Sequence, residues 1–144
     1  MADPKLESLK RVSLFAHCSD KELRFIATQM DEVEIKAGRE LTHQGQPGDA
    51  FYVLLEGEVE VSVDQHPRHT MGPGDFFGEI SMVDRGPATA TVVTKTPVRA
   101  MVMSHAQFRD AVKGNDELFG QVMIAMAMHL RRDALARESG GSAG

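Results

Sequence analysis

The residues best suited to chemistry fall in one run, Gly72-Pro73-Gly74-Asp75-Phe76-Phe77-Gly78-Glu79-Ile80-Ser81-Met82, followed by Val83-Asp84-Arg85-Gly86-Pro87-Ala88-Thr89-Ala90-Thr91-Val92. The pattern predicts a tight turn, a short apolar helical turn, a loop and then a strand. Gly78 lets the backbone approach a ligand closely. The N–H groups after it open a helix start that carries roughly half a unit of positive charge, which favours an anion. Glu79 at that positive end is placed to accept hydrogen bonds from a sugar hydroxyl. A phosphate and a ribose held side by side would use both features.

Other candidate sites are weaker. His66-Pro67-Arg68-His69 has H-x-x-H spacing, but two imidazoles without a third carboxylate or cysteine make a poor zinc site. A solvated turn is the expectation there, and no metal site is assigned. His43 and His105 read as loop and helix-start residues. The chain has no H-x-H pair of the kind cupin metal chemistry needs, no Gly-x-Ser-x-Gly elbow and no Walker-type phosphate loop. Ser81 lies near Glu79 without a plausible base, so no catalytic residue is expected.

Composition bounds what surrounds this segment. The 144 residues carry sixteen Lys+Arg against twenty-one Asp+Glu, a formal charge of −5. That balance offers no broad attraction to nucleic acid. No apolar run approaches the roughly 18 residues of a membrane span. The N-terminus lacks the apolar core of a secretion signal. Cys18 is the only cysteine, so an internal disulfide is impossible, and it reads as a structural thiol in a reducing compartment. A cytoplasmic protein of one domain is expected.

Three zones position the segment. Residues 4–30 read as helical, with Leu6, Leu9, Val12 and Leu14 as an apolar stripe and Ser19-Asp20-Lys21-Glu22 as a capping box before Leu23, Ile26, Ala27 and Met30. Residues 31–104 change to short strands, predicted at 32–35, 50–55, 58–63, 89–93 and 98–103, with glycine at most corners. Many short strands closed by Gly/Pro turns indicate a small barrel or sandwich. Residues 105–138 return to helix: Ser104-His105-Ala106-Gln107 is a second capping box, and Asn115 or Asp116 caps a longer helix to about Glu138. Residues 118–130 of that helix are apolar nearly all round, which predicts burial on more than one side. Leu118, Val122, Met123, Met126 and Leu130 are the candidates for a lid over a ligand or for two-fold pairing of helices. Residues 139–144 read as a flexible Gly/Ser tail.

Taken as an ordered set, these features resemble the cyclic nucleotide-binding domain family of catabolite-activator-type regulators, kinase regulatory subunits and cyclic nucleotide-gated channels. The carriers are Gly38, Gly45 and Gly57, Gly48-Asp49 before Phe51-Tyr52-Val53, and above all Phe77-Gly78-Glu79-Ile80-Ser81-Met82. The resemblance spans nearly the whole chain. It implies a mainly β fold, an eight-stranded jelly-roll barrel with N-terminal helices and a long C-terminal helix. It implies a ligand cassette over residues 76–91, in which Glu79 accepts from the ribose 2′-OH, Gly78 with Ile80 and Ser81 supplies backbone N–H groups, and Thr89 and Ala90 contact phosphate.

The chain departs from that family at Ala88, where Pro-Arg-(Ala/Ser/Thr)-Ala-Thr is usual and the arginine pairs with the cyclic phosphate. Truncating one partner of a buried charge pair costs about 2–5 kcal/mol, and one neutral hydrogen bond from Thr89, worth about 1 kcal/mol, does not replace it. Arg85, three residues earlier on the loop, is long enough to reach inward. The expected function is a non-catalytic sensor that binds cyclic AMP in preference to cyclic GMP with weakened affinity, needs no cofactor and relays binding through its C-terminal helices to an effector protein. The alternative is a ligand-free member acting as a dimerisation or interaction scaffold. A helix-turn-helix would need roughly 60–70 further residues, so a free-standing sensor or adaptor, or a fragment, is expected, with neither nucleic acid nor membrane as partner.

Overall fold

The computed structural model describes residues 4–142. Two helices open the chain, α1 (Pro4–Lys10) and α2 (Asp20–Thr28), with a single 3-10 turn at Ser13–Phe15 between them. Eight strands follow: β1 (Asp31–Ile35), β2 (Glu40–Thr42), β3 (Ala50–Glu56), β4 (Val59–Val63), β5 (His66–Met71), β6 (Phe76–Phe77), β7 (Thr91–Thr94) and β8 (Val98–Ser104). A six-residue helix, α3 (Glu79–Asp84), lies between β6 and β7, and α4 (His105–Val112) and α5 (Asp116–Ser142) close the fold. Both capping boxes form: the Ser19 and Ser104 hydroxyls accept from the N–H groups of Glu22 and Gln107, whose side chains accept in return.

The strands make two four-stranded antiparallel sheets, ordered β1-β8-β3-β6 and β2-β7-β4-β5, the jelly-roll architecture. The first sheet is covered on both faces. Phe51, Val53, Met101 and Met103 point to a core shared with α1, α2, α4 and α5, while Leu54, Val98 and Ala100 point between the sheets toward Val59, Val61, Phe77 and Val92. Burial on both faces explains why β3 and β8 read as nearly continuous apolar runs. In the second sheet, β4 alternates strictly between buried and half-buried residues, the mark of a sheet with one face toward water.

Three strands have no counterpart among the sequence-based expectations. β2 and β6 hold three and two residues, too few for a period to register. β5 corrects the assignment of His66-Pro67-Arg68-His69 to a turn. The turn is Asp64-Gln65, both with positive φ (54° and 66°), and β5 pairs with β4 from His66 onward. Its Pro67 is tolerated because β5 is an edge strand. α5 also continues past the expected end at Glu138, since propagation adds a hydrogen bond for each residue once the helix is nucleated. The last two residues of the expected tail lie outside the described residues.

Candidate functional site

The cassette is built on backbone constraints. Phe76 and Phe77 pair with Val53 and Tyr52 of β3, and the Phe77 ring stacks on Tyr52 with centroids 4.8 Å apart. The chain then turns at Gly78, with φ 96°, into α3. A Cβ at Gly78 would stand 2.4 Å from the Ala50 carbonyl oxygen, so glycine is required by the close approach of β3 as well as by its dihedral. Gly48 is constrained by packing alone, because a Cβ there would meet the buried Ser81 hydroxyl at 2.2 Å. Ser81 in turn donates to the Pro87 carbonyl at 3.3 Å, and its own carbonyl accepts from Arg85 N–H and lies 3.2 Å from His105 Nε2. Both ends of the cassette are thereby tied to α3.

Phe77, Gly78, Glu79, Ile80, Ser81, Ala88, Thr89 and Ala90 all line one cavity. The loop that carries the last three is stitched to the turn before β3: Ala88 N–H donates to the Gln46 carbonyl, and the Ala88 carbonyl accepts from Gly45 N–H. That bond commits the Ala88 amide to the protein, and Thr42 Oγ1 likewise donates to the Ala90 carbonyl. Thr89 lines the cavity, and its hydroxyl has no hydrogen-bond partner among the described residues.

Arg85 is not brought in. It caps the C-terminus of α3 in the left-handed conformation (φ 57°), is exposed, and does not line the cavity. The lid candidates divide. Leu118 and Val122 are buried in the core beneath α5, which corrects their assignment to a lid or dimer face. Met123 and Met126 are half-buried and Leu130 is exposed, and none of the three lines the cavity.

The residues that do close the cavity are His129 and Arg132 on α5 and His69 on β5. Glu79 is the most deeply buried charged residue, 1% exposed, and its carboxylate accepts a hydrogen bond from His129 Nδ1. The His129 ring also packs on Phe76, centroids 5.5 Å apart. Arg132 Nη1 donates to His69 Nε2 at 3.1 Å. Burial, with the nearby Arg132 and His129, pushes the His69 pKa below its ordinary 6.5. With these contacts in place, the room open to the centre of a water molecule is about 50 Å³. A single water needs about 10–15 Å³ on that measure, so the room left is a few waters' worth.

A sequence signal for the α5 residues exists but is faint. Leu118, Val122, Ala125, His129 and Arg132 recur at spacings of four and three, one stripe of a helix. Its first three members pack on the core, and the last two continue the same face over the cassette.

A jelly roll with a glycine-hinged, glutamate-bearing cassette under a long C-terminal helix defines a class of regulatory ligand-binding domain. The chain belongs to the cyclic nucleotide-binding domain family, whose model matches residues 32–115. It is similar to a CRP-like cAMP-activated global transcriptional regulator of Mycobacterium tuberculosis, 30% identical over 131 residues, covering 88% of this chain and 58% of that protein. Thus it spans little more than half the length of this curated relative. Among solved structures, the N-terminal domain of a transcriptional regulator from Streptomyces coelicolor A3(2) matches with a TM-score of 0.70 at 30% identity, covering 88% of this chain and 94% of that one. The regulatory domain of Toxoplasma gondii PKA, solved with cAMP, shares the fold with a TM-score of 0.71 at 20% identity, covering 95% and 49%. These relatives are regulatory proteins by their names. No described helix is long and apolar enough to cross a membrane.

Proposed function

We propose that this domain is a regulatory sensor for a cyclic nucleotide, with cyclic AMP preferred to cyclic GMP, and that it signals through the position of α5 rather than by catalysis. The observation that carries the reading is Glu79: a carboxylate withdrawn from solvent, at the start of α3, with its acceptor oxygen directed into the cavity and toward a residue of α5. A carboxylate is acceptor-only when ionised, so it suits a ligand that presents hydroxyl donors. Thr89, with its hydroxyl uncommitted, is the neutral donor for the phosphate end. Ala88 supplies only a methyl group there, so affinity is lower than an arginine at the same place would give. The cAMP-activated relative and the cAMP-bound structure support the choice of ligand. A ligand shifts α5 only by binding its two positions unequally, and the α5 residues lining the cavity, His129 and Arg132, support that reading.

Isothermal titration of the chain with cyclic AMP and cyclic GMP tests this. Heat is expected with cyclic AMP at micromolar or higher concentration, and silence up to about millimolar would end the reading. Glu79→Ala should weaken binding at least about thirtyfold and Ala88→Arg should strengthen it about tenfold or more. Unchanged affinity in both variants would place the ligand elsewhere.

A second reading, pairing of two copies through α5, is favoured by a separate observation. Ile124, Met128 and Leu135 are 55%, 61% and 59% exposed on one flank of the helix, and Phe119 and Leu130 are each 45% exposed on another. Between these flanks run Gly120, Ala127 and Ala134 at seven-residue spacing, small enough for a second helix to approach. Light scattering should report a dimer that the double variant Ile124→Glu, Met128→Glu converts to monomer; a monomer at every concentration removes this reading.

A further inference from the structure

Glu79 already has a partner, and that partner sits on the element proposed to move. His129 Nδ1 donates to the same carboxylate that would receive a ribose hydroxyl. One helical turn further on, Arg132 donates to His69 on β5. Spacing of three puts both side chains on the face of α5 that meets the cassette. The two contacts fasten the helix at two separate points, one on β6–α3 and one on the edge strand of the other sheet. The buried anchors of α5 are Leu118 and Val122 at its start. Beyond Val122 the helix reaches the rest of the protein through Ala125 against the core, these polar contacts and the packing of His129 on Phe76.

We infer that His129 is a built-in competitor for the ligand's sugar hydroxyl, and that with Arg132 it latches α5 over the cavity until a ligand exchanges one hydrogen bond on Glu79 for another. The inference rests on the proposed ligand site but concerns a residue outside the cassette. His129 and Arg132 line the α5 side of the cavity, so a ribose hydroxyl that takes over the Glu79 oxygen held by His129 displaces that contact. The exchange suits a switch: Glu79 remains partnered in both states, so a buried carboxylate is at no stage left without a donor. Arg132 and His69 part in the same motion, and both polar groups then face water or ligand.

The test uses the full chain in four forms: wild type, His129→Ala, His129→Phe and Arg132→Gln. His129→Phe keeps an aromatic ring against Phe76 and removes only the donor, so it separates the hydrogen bond from the packing. Two measurements are made on each, hydrogen exchange of the α5 amides without nucleotide and titration with cyclic AMP. Loss of a charge-assisted hydrogen bond should speed exchange beyond Val122 about tenfold or more in both His129 variants, with a smaller rise in Arg132→Gln. Affinity for cyclic AMP should rise about three- to tenfold in both His129 variants, because the competitor is gone. Unchanged exchange in both His129 variants overturns the latch, whether or not any nucleotide binds. Faster exchange with equal or lower affinity overturns the competition, since His129 would then be a support or a ligand contact. Failure of the ligand reading looks different: no heat from wild type or any variant, while exchange alone still decides whether His129 fastens the helix.

Discussion

The two walls of the cavity are made by opposite means. The barrel wall, from Phe77 to Ser81 with Ala88 to Ala90, is held by strand pairing, two glycines pressed against neighbours, and backbone hydrogen bonds to residues nearby in space. The helix wall consists of two long polar side chains on α5, beyond the reach of that helix's own buried anchors. One wall is fixed by backbone pairing and by glycines that leave no room for a Cβ. The other is positioned by contacts worth only a few RT each. A binding site built this way has a fixed half that recognises and a movable half that reports.

That contrast can be broken at either wall. The largest effect is expected where the movable wall joins the rigid body: Leu118→Ala should cost about 2–5 kcal/mol in denaturant unfolding, as for other buried leucines. A loss under about 1 kcal/mol would mean that the start of α5 is no anchor. Gly78→Ala tests the rigid wall. Forcing a side chain to φ 96° beside the Ala50 carbonyl should cost about 1–3 kcal/mol from the backbone alone, with the clash adding to it. An unaltered unfolding midpoint would show that the cassette can deform. The smallest effect concerns pH. The His69 pKa is lower in the folded protein than its ordinary 6.5, so below about pH 6.5 the unfolded chain binds more protons and stability falls with acidification. Thermal unfolding should therefore show a lower Tm at pH 5.5 than at pH 7.5, and His69→Gln should reduce that difference. An identical pH profile in the variant would remove His69 from the account.

The cassette and both capping boxes were legible because each depends on residues close in sequence. Ser19 with Glu22, Ser104 with Gln107, and Phe77-Gly78-Glu79 each specify local dihedrals and short hydrogen bonds whatever packs around them. β4 was legible for a related reason, since its alternation encodes which side meets the core. β5 was not: His66-Pro67-Arg68-His69 has no alternating pattern, and it becomes a strand because β4 offers a ladder across the Asp64-Gln65 turn. Arg85 was equally opaque. Its length permits an inward reach, yet the left-handed backbone at the end of α3 leaves it in solvent. The apolar circumference of α5 masked the one stripe that mattered, because Leu118 and Val122 look no different in sequence from Ile124 and Met128. Only burial separates them, 2% and 1% against 55% and 61% exposed.

By itself the sequence determined a small β barrel or sandwich, its helical flanks and the glycine–glutamate cassette, through local dihedral requirements and hydrophobic period, while the jelly-roll order of the strands came only from the family resemblance. Tertiary structure alone decided what stands opposite Glu79. His129 lies 50 residues away, and a contact at that separation has no local signature; it exists because the packing of Leu118 and Val122 fixes the rotation of α5 and so chooses which polar side chains lie over the cavity.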